Sequence, residues 1–174
     1  MLAKSPTGQR LVLLRGCVRA GKSTVSKALA ESPHVRVIEM DAFKYQKYGT
    51  ARACNPSVDF PAIGRLAKAA LKDGFDVVLE EAFVEAAHLK TTIRWAGLEP
   101  SSPQVICVWM DCTFDAALLR KGRGLPPDAL KAQYARYAQR YVPENELLLD
   151  TTPLDPAAVA LRLASELKAR GVRV

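Results

Sequence analysis

The sequence of 174 residues has little of what several protein classes require. Its four cysteines form no CxxC pair, which argues against a disulfide scaffold and a thiolate metal site. The two histidines, His34 and His88, have no cysteine or histidine partner at ligand spacing, so we interpret both as surface or packing residues. No apolar run approaches the roughly 18 residues of a membrane-spanning helix, and residues 1–8 lack a signal-peptide core. We expect no membrane segment and a cytoplasmic location.

Long blocks of like charge are also missing, although the net charge is +7. Residues 1–60 contain ten Lys or Arg against four Asp or Glu, so most of the excess lies in the first third. A basic balance can indicate nucleic acid. A site that binds phosphates needs local positive charge as well, and we prefer that interpretation because no run of five or six basic residues occurs.

Short apolar runs alternate with segments of helical periodicity along the whole chain. The predicted strands are residues 11–14, 35–40, 75–79, 105–110 and 147–149. The predicted helices are residues 22–31, 61–72, 85–95, 114–121, 127–141 and 156–170. This alternation predicts a three-layer α/β fold, in which helices cover both faces of a parallel sheet. No linker or repeat interrupts it, so residues 1–174 are expected to form a single domain.

A glycine-rich motif carries most of the functional information. The segment Gly16–Ser23 matches G-x-x-x-x-G-K-[ST] at every fixed position, after an apolar run and before a helical one. Its backbone N–H groups are expected to cradle nucleotide phosphates at the start of the helix, with Lys22 reaching the β- and γ-phosphates and Ser23 coordinating Mg²⁺. Three further residues are expected to contact the nucleotide: Ala20, Arg19 and Thr24. The side chain of Arg19 could instead be solvated, and Thr24 could merely begin the helix.

Acidic residues follow three of the predicted strands, where ligands gather in a parallel sheet. Asp41 could accept a proton from a substrate hydroxyl as a general base, or it could cap a helix. Glu80 or Glu81 could hold Mg²⁺, and because neighbouring strand residues point in opposite directions, only one of them is expected to do so. Asp111 is interpreted as a cap for the following helix and is left outside the site.

A basic, glycine-containing segment follows the fourth predicted strand and its helix. Arg120 and Arg123 flank Lys121 and Gly122 in a stretch of about residues 120–127, here called the lid. Its cations could close over the phosphates and neutralise transition-state charge. The same residues could simply end a helix, since Lys and Arg complement the helix dipole and glycine favours the C-terminal position.

Taken together, these motifs resemble the small P-loop kinases, and within them the chloramphenicol phosphotransferase-like group, over nearly the whole chain. The resemblance rests on Gly16–Thr24, Asp41, the run at 77–83, the lid and the run at 149–152. It implies a five-stranded parallel sheet in the order 2-3-1-4-5, ATP with Mg²⁺ as donor, and transfer to a hydroxyl. It also implies roles for individual residues: Asp41 as general base, Arg120 and Arg123 as lid arginines, and Thr151 and Thr152 in the loop that contacts adenine.

Three functions remain open from the sequence. The leading one is phosphorylation of a small hydroxyl compound such as an antibiotic, a nucleoside or a sugar. The run from Asp41 to Lys44 is also similar to a D-x-F-[RK] run of zeta toxins and polynucleotide 5′-kinases, so the second is phosphorylation of nucleic acid 5′-hydroxyl ends. Its expected contacts are cations and aromatic platforms: Lys44, Lys47, Arg52, Tyr45, Tyr48, Phe60. The third, a nucleotide-binding regulatory module, is weakened because no guanine-reading NKxD run occurs.

Overall fold

Five strands alternate with seven helices in the part of the chain that the computed structural model describes, residues 8–120, 125–153 and 155–174. The strands are β1 (Leu11–Gly16), β2 (Val35–Glu39), β3 (Asp76–Glu80), β4 (Val105–Asp111) and β5 (Leu147–Asp150). The helices are α1 (Lys22–Leu29), α2 (Met40–Tyr48), α3 (Pro56–Lys72), α4 (Ala86–Trp95), α5 (Phe114–Leu119), α6 (Pro127–Tyr137) and α7 (Pro156–Ala169).

The strands form one parallel sheet in the order β2-β3-β1-β4-β5, which confirms the predicted topology. Each strand lies within two residues of its predicted bounds. The motif strand β1 is central, with β3 on one side and β4 on the other. Because parallel strands present their carboxyl ends at one edge, the residues that follow β1, β3 and β4 meet there.

Side chains of β1 alternate between two apolar cores, as the period of two in a strand requires. Val12 and Leu14 belong to the core that α1 and α7 cover, whereas Leu11 and Leu13 belong to the core under α3 and α4. All four are fully buried. Burial on both faces explains why the strand reads as an unbroken apolar run, and it confirms the three-layer arrangement.

Three helices differ from the sequence prediction, and one of them, α6, ends at Tyr137 and not at residue 141. Helix α2 was missed, because of its nine residues only Met40 and Lys44 are buried, which leaves no apolar periodicity to detect. Helix α3 begins at Pro56 and not at residue 61. Pro61 therefore lies inside the helix, where proline is unusual, while Pro56 occupies the favoured first turn.

No helix among the described residues is both long enough and apolar enough to cross a membrane.

Candidate active site

A large cleft opens at the carboxyl edge of the sheet, above the ends of β1 and β3. Its volume is about 1760 Å³. A pocket for one small ligand typically measures roughly 300–1,000 Å³, so this cleft has room for two molecules side by side. It is lined by the loop after β1, by α2 and the segment that follows it, by the residues after β3, and by the start of α7.

Gly16 is required by the close packing of β1 against β4. The residue has φ 143°, and a Cβ placed on it would lie 2.1 Å from the carbonyl oxygen of Met110 on β4. The contact with β4 alone therefore requires glycine at this position. Gly21 has φ 92° and precedes the first residue of α1, so it supplies the left-handed turn into the helix.

Gly16→Ala is expected to destabilise the protein by about 1–3 kcal/mol or more, because the new methyl group overlaps backbone that cannot move aside. Urea unfolding measures this loss. Gly49→Ala is the matched control: Gly49 also has a positive φ, of 71°, but a Cβ there meets nothing within 4 Å. Equal losses in the two variants would show that conformational strain, and not the contact with Met110, determines the cost.

Lys22, the first residue of α1, turns back over the glycine-rich loop. Its Nζ donates hydrogen bonds to the carbonyl oxygens of Gly16 at 2.9 Å and Cys17 at 2.8 Å. Burial lowers the pKa of Lys22, and nearby carboxylates act in the opposite direction, namely those of Glu80, Glu81 and Asp41. The structure therefore brings the motif lysine and the three acids selected from the sequence into one electrostatic environment.

Glu80, the last residue of β3, binds two hydroxyls of α1. Ser23 Oγ donates to its Oε1 at 2.7 Å and Ser26 Oγ donates to its Oε2 at 2.7 Å. Carboxylate and hydroxyl oxygens are the hard ligands that Mg²⁺ prefers. The pair of Ser23 and Glu80 fits a magnesium site at the mouth of the phosphate loop.

Glu81 takes a different direction, although it also lines the cleft. Its Oε2 accepts a hydrogen bond of 2.9 Å from Lys44 of α2, and its Oε1 accepts one from the backbone N–H of Ala82. The ion pair is mostly buried. Burial lowers the pKa of Lys44, but the charge and hydrogen bond of Glu81 outweigh this and leave it raised. Of the two acids, only Glu80 contacts the phosphate loop.

Asp41 lies in the first turn of α2, half-buried, and lines the cleft. The sequence placed it at the end of a strand, but β2 ends at Glu39 and α2 begins at the next residue. The N-cap of this helix is Glu39, so Asp41 does not cap it. Its carboxyl group therefore lies in the first turn of α2, at the wall of the cleft.

Arg120 joins two walls of the cleft. Its guanidinium donates to the carbonyl oxygen of Arg19 in the phosphate loop at 3.1 Å and to Oγ1 of Thr151 at 3.1 Å, as well as to the carbonyl oxygen of Thr151. Arg19, with a left-handed φ of 63°, in turn reaches the carbonyl oxygens of Ala117 and Leu125. Helix α5 ends at Leu119. Arg123 and the rest of 121–124 lie outside the described residues.

The loop after β5 positions its two threonines differently. Thr151 is buried, lines the cleft and donates from Oγ1 to the carbonyl oxygen of Asp111 at 2.8 Å. Thr152 accepts a hydrogen bond from the backbone of Thr113 and is not among the residues that line the cleft. Thr24 does line it, as do Ala20 and Ser23. Of the predicted nucleotide contacts, Gly16 and Thr152 are therefore the two that are not among the residues lining the cleft.

Asp111 does not cap the following helix, contrary to the sequence interpretation. Thr113 is the N-cap of α5, and its Oγ1 accepts a hydrogen bond from Ala116. Asp111 ends β4, and its Oδ1 accepts a hydrogen bond of 3.2 Å from the thiol of Cys17. Burial, supported by Asp111, raises the pKa of Cys17 to about 12. The thiol therefore stays neutral at physiological pH and adds no negative charge beside the phosphate loop.

Arg15 is a buried arginine that the sequence analysis overlooked. It lies on β1 directly before Gly16, with its guanidinium paired with Glu146. The same group donates to the carbonyl oxygens of Phe83 at 2.6 Å and Tyr141 at 2.8 Å. Phe83 has a left-handed φ of 44°, which is strained for an aromatic residue. Arg15 thus fixes the loop that follows Glu80 and Glu81. The sequence feature that could have revealed Arg15 is a charged residue at the end of an apolar strand.

Asp59 organises the segment between α2 and α3, another feature that the sequence did not reveal. Its fully buried carboxylate accepts hydrogen bonds from Lys47 Nζ at 2.6 Å, Tyr48 OH at 3.0 Å and the backbone N–H of Asn55 at 2.7 Å. Burial raises the pKa of Asp59, but these donors outweigh it and hold the pKa below its ordinary value. The network fixes the wall of the cleft formed by residues 50–56.

Asp59→Asn is expected to lower the free energy of unfolding at pH 7 by about 1.5–3 kcal/mol, the usual worth of hydrogen bonds to a charged group. Because the folded pKa of Asp59 is depressed, its contribution is present above the unfolded pKa of about 3.9 and is lost as the pH falls through the folded value. The difference between wild type and variant should therefore shrink toward pH 3 in urea unfolding experiments. Asp73→Asn, exposed at the end of α3, should show no such trend.

Comparison with known proteins identifies the fold class of this structure. No family model matches the sequence, and no curated protein sequence matches it. The sheet order and the phosphate loop define the P-loop kinase fold, and solved structures share it.

Three of the solved structures illustrate the range of proteins with this fold. A sugar kinase from Janibacter sp. HTCC2649 has a TM-score of 0.68 at 17% identity, over 92% of this chain and 95% of that one. The APS kinase of Mycobacterium tuberculosis gives 0.66 at 17% identity, over 94% and 99%. A component of an RNA repair complex gives 0.61 at 13% identity, over 78% of this chain and 46% of that one. At these identities the likeness establishes the fold.

Proposed function

We propose that the protein is an ATP-dependent phosphotransferase that moves the γ-phosphoryl group to a hydroxyl of a small molecule. One observation carries the proposal: Ser23 of the phosphate loop and Glu80 at the end of β3 are in contact, 2.7 Å apart, beside Lys22 in a cleft with room for two substrates. Neighbours that share the fold include a sugar kinase and an APS kinase, which supports a phosphoryl transfer.

The nucleotide would bind over the phosphate loop, with its base toward β5 and α7. Thr151, Pro156 and Val159 line that end of the cleft. Backbone N–H groups at the start of α1 and the side chain of Lys22 would hold the phosphates, and Lys22 would exchange its bonds to loop carbonyls for phosphate oxygens. Arg120 ties the loop to Thr151 and so keeps the phosphate and base subsites at a fixed separation. Arg123, in the lid, remains a predicted phosphate contact.

Magnesium would be held by Ser23 and Glu80, and when bound it neutralises charge on the β- and γ-phosphates. The hydroxyl of Ser23 has one hydrogen and two lone pairs, so it can donate to Glu80 and still coordinate a cation. Glu81 is assigned to the ion pair with Lys44 and not to the metal.

Asp41 is the proposed general base. It lines the cleft on the side of α2, away from the β5 end where the base would bind, and its ionised form is the one that can accept a hydroxyl proton. Glu80 and Glu81 have other proposed roles: Glu80 binds Ser23 and Ser26 of α1, and Glu81 forms the ion pair with Lys44.

Three of the residues expected to grip a polynucleotide already have protein partners. Lys44 pairs with Glu81, Lys47 pairs with Asp59, and the hydroxyl of Tyr48 donates to the same aspartate. Phe60 is buried against His88. Cations that are already neutralised release few counterions on binding a phosphate backbone. The acceptor side of the cleft therefore suits a small molecule better than a polynucleotide.

An ADP-release screen tests the proposal against a panel of antibiotics, nucleosides, sugars and 5′-hydroxyl oligonucleotides, with Lys22→Ala as the blank. We expect turnover with a small hydroxyl compound and little change in KM between 50 and 200 mM salt. Turnover with oligonucleotides alone, falling steeply with salt, would establish the polynucleotide kinase instead. ATP binding without turnover on any compound would favour a regulatory module.

A further inference from the structure

Ser26 lies one helical turn beyond Ser23, on the same face of α1, and it binds the same carboxylate. Residues three apart on a helix are neighbours. Ser23 Oγ donates to Oε1 of Glu80 and Ser26 Oγ donates to Oε2, both at 2.7 Å. Both oxygens of Glu80 are thus held by one helix, and the plane of the carboxylate is fixed.

A serine is an unexpected residue at this position. The other buried residues of α1 are Val25 and Leu29, which pack into the apolar core, whereas Ser26 is fully buried and polar. Serine is a weaker helix former than alanine, and a buried hydroxyl is costly unless it has a partner. Its bond to Glu80 supplies that partner. Packing alone would be served better by alanine.

We propose that Ser26 is a positioning residue for the metal site: it orients Glu80 so that this carboxylate and Ser23 together hold Mg²⁺. The inference rests on the proposed function, because it presupposes a nucleotide with its cation over the phosphate loop. Groups that orient a metal ligand typically change metal affinity by about 10- to 100-fold when they are lost. Without Ser26, Oε2 of Glu80 has no donor from α1 and the carboxylate can rotate away from Ser23.

The test is Mg²⁺-dependent binding of a fluorescent ATP analogue, mant-ATP, to the full chain, measured with no acceptor present. In Ser26→Ala, half-maximal tightening should require about tenfold more Mg²⁺ than in wild type, while affinity in EDTA stays unchanged. Ser26→Cys keeps the shape of the side chain with a somewhat larger atom and replaces a strong donor with a weak one, so it should shift in the same direction and covers the case in which the alanine variant fails to fold. Ser32→Ala, which removes a hydroxyl bonded to Arg173 beyond the end of α1, should match wild type.

The outcomes distinguish a failure of this inference from a failure of the proposed function. A wild-type Mg²⁺ requirement in both Ser26 variants, or an equal loss of affinity with EDTA and with Mg²⁺, would overturn the positioning role and leave the phosphate site intact. If wild type binds no mant-ATP, or if Lys22→Ala binds it as tightly as wild type in the presence of Mg²⁺, the proposed function itself fails, and the role of Ser26 fails with it.

Discussion

Lys22→Ala is expected to lower phosphoryl transfer by about a thousandfold, to the limit of detection, while the protein remains folded. The lysine is the one cation of the loop whose position in the motif directs it to the β- and γ-phosphates, and loss of a single charged group that stabilises a transition state costs about 10²–10³ in kcat. Its two hydrogen bonds in the structure are to partly buried loop carbonyls, and the nearby carboxylates of Glu80 and Glu81 keep their bonds to Ser23, Ser26 and Lys44 when the lysine is removed, so the fold is expected to persist.

The measurement is steady-state ADP release, with thermal unfolding to check the fold. Lys27→Ala is the matched control, because Lys27 lies on the same helix, is exposed and does not line the cleft. It should retain wild-type turnover. Wild-type turnover in Lys22→Ala would contradict the assignment of the phosphate site.

Asp41→Asn should lower kcat by about 10²–10⁴ with little change in the affinity for ATP, as expected when a general base is removed. Asparagine keeps the size and polarity of the side chain but cannot accept a proton from the acceptor. The affinity for ATP should hold because Asp41 lies on α2, apart from the phosphate loop. Parallel measurements of kcat and of nucleotide binding separate the two effects.

Asp115→Asn provides the control for this substitution. Asp115 is also in the first turn of a helix, α5, but it is exposed and does not line the cleft. Its variant should keep the wild-type kcat. If Asp41→Asn does so too, the base lies elsewhere, and Glu81 becomes the next candidate because its bond to Lys44 could be exchanged for one to substrate.

The sheet could be predicted from the sequence because its strands are buried on both faces. Runs such as residues 11–14 and 105–110 contain so few polar residues that a buried strand is the simplest interpretation. Their order came from the resemblance to P-loop kinases and not from the runs themselves. Helix α2 was missed for the opposite reason: seven of its nine residues are exposed or only partly buried, and their pattern carries no periodic signal.

The residues of the candidate site could be named from the sequence where a residue is defined by its place in a motif. Lys22 and Ser23 follow from the glycine pattern alone. The place after a strand indicated Glu80 or Glu81 but could not distinguish between them. Partnerships between segments could not be predicted, since they depend on which strand ends meet. The contact of Ser26 with Glu80 and the salt bridge of Lys44 with Glu81 span 54 and 37 residues of sequence.

The most direct test of the central claim follows the γ-phosphoryl group itself. Wild type and Lys22→Ala are each incubated with Mg²⁺ and ATP labelled with ³²P at the γ or the α position, together with a pooled panel of small hydroxyl compounds. The account predicts that wild type transfers the γ label to a compound of the panel, that the α label stays in ADP, and that Lys22→Ala transfers neither. Transfer of the γ label by Lys22→Ala at the wild-type rate, or transfer of the α label, would contradict it.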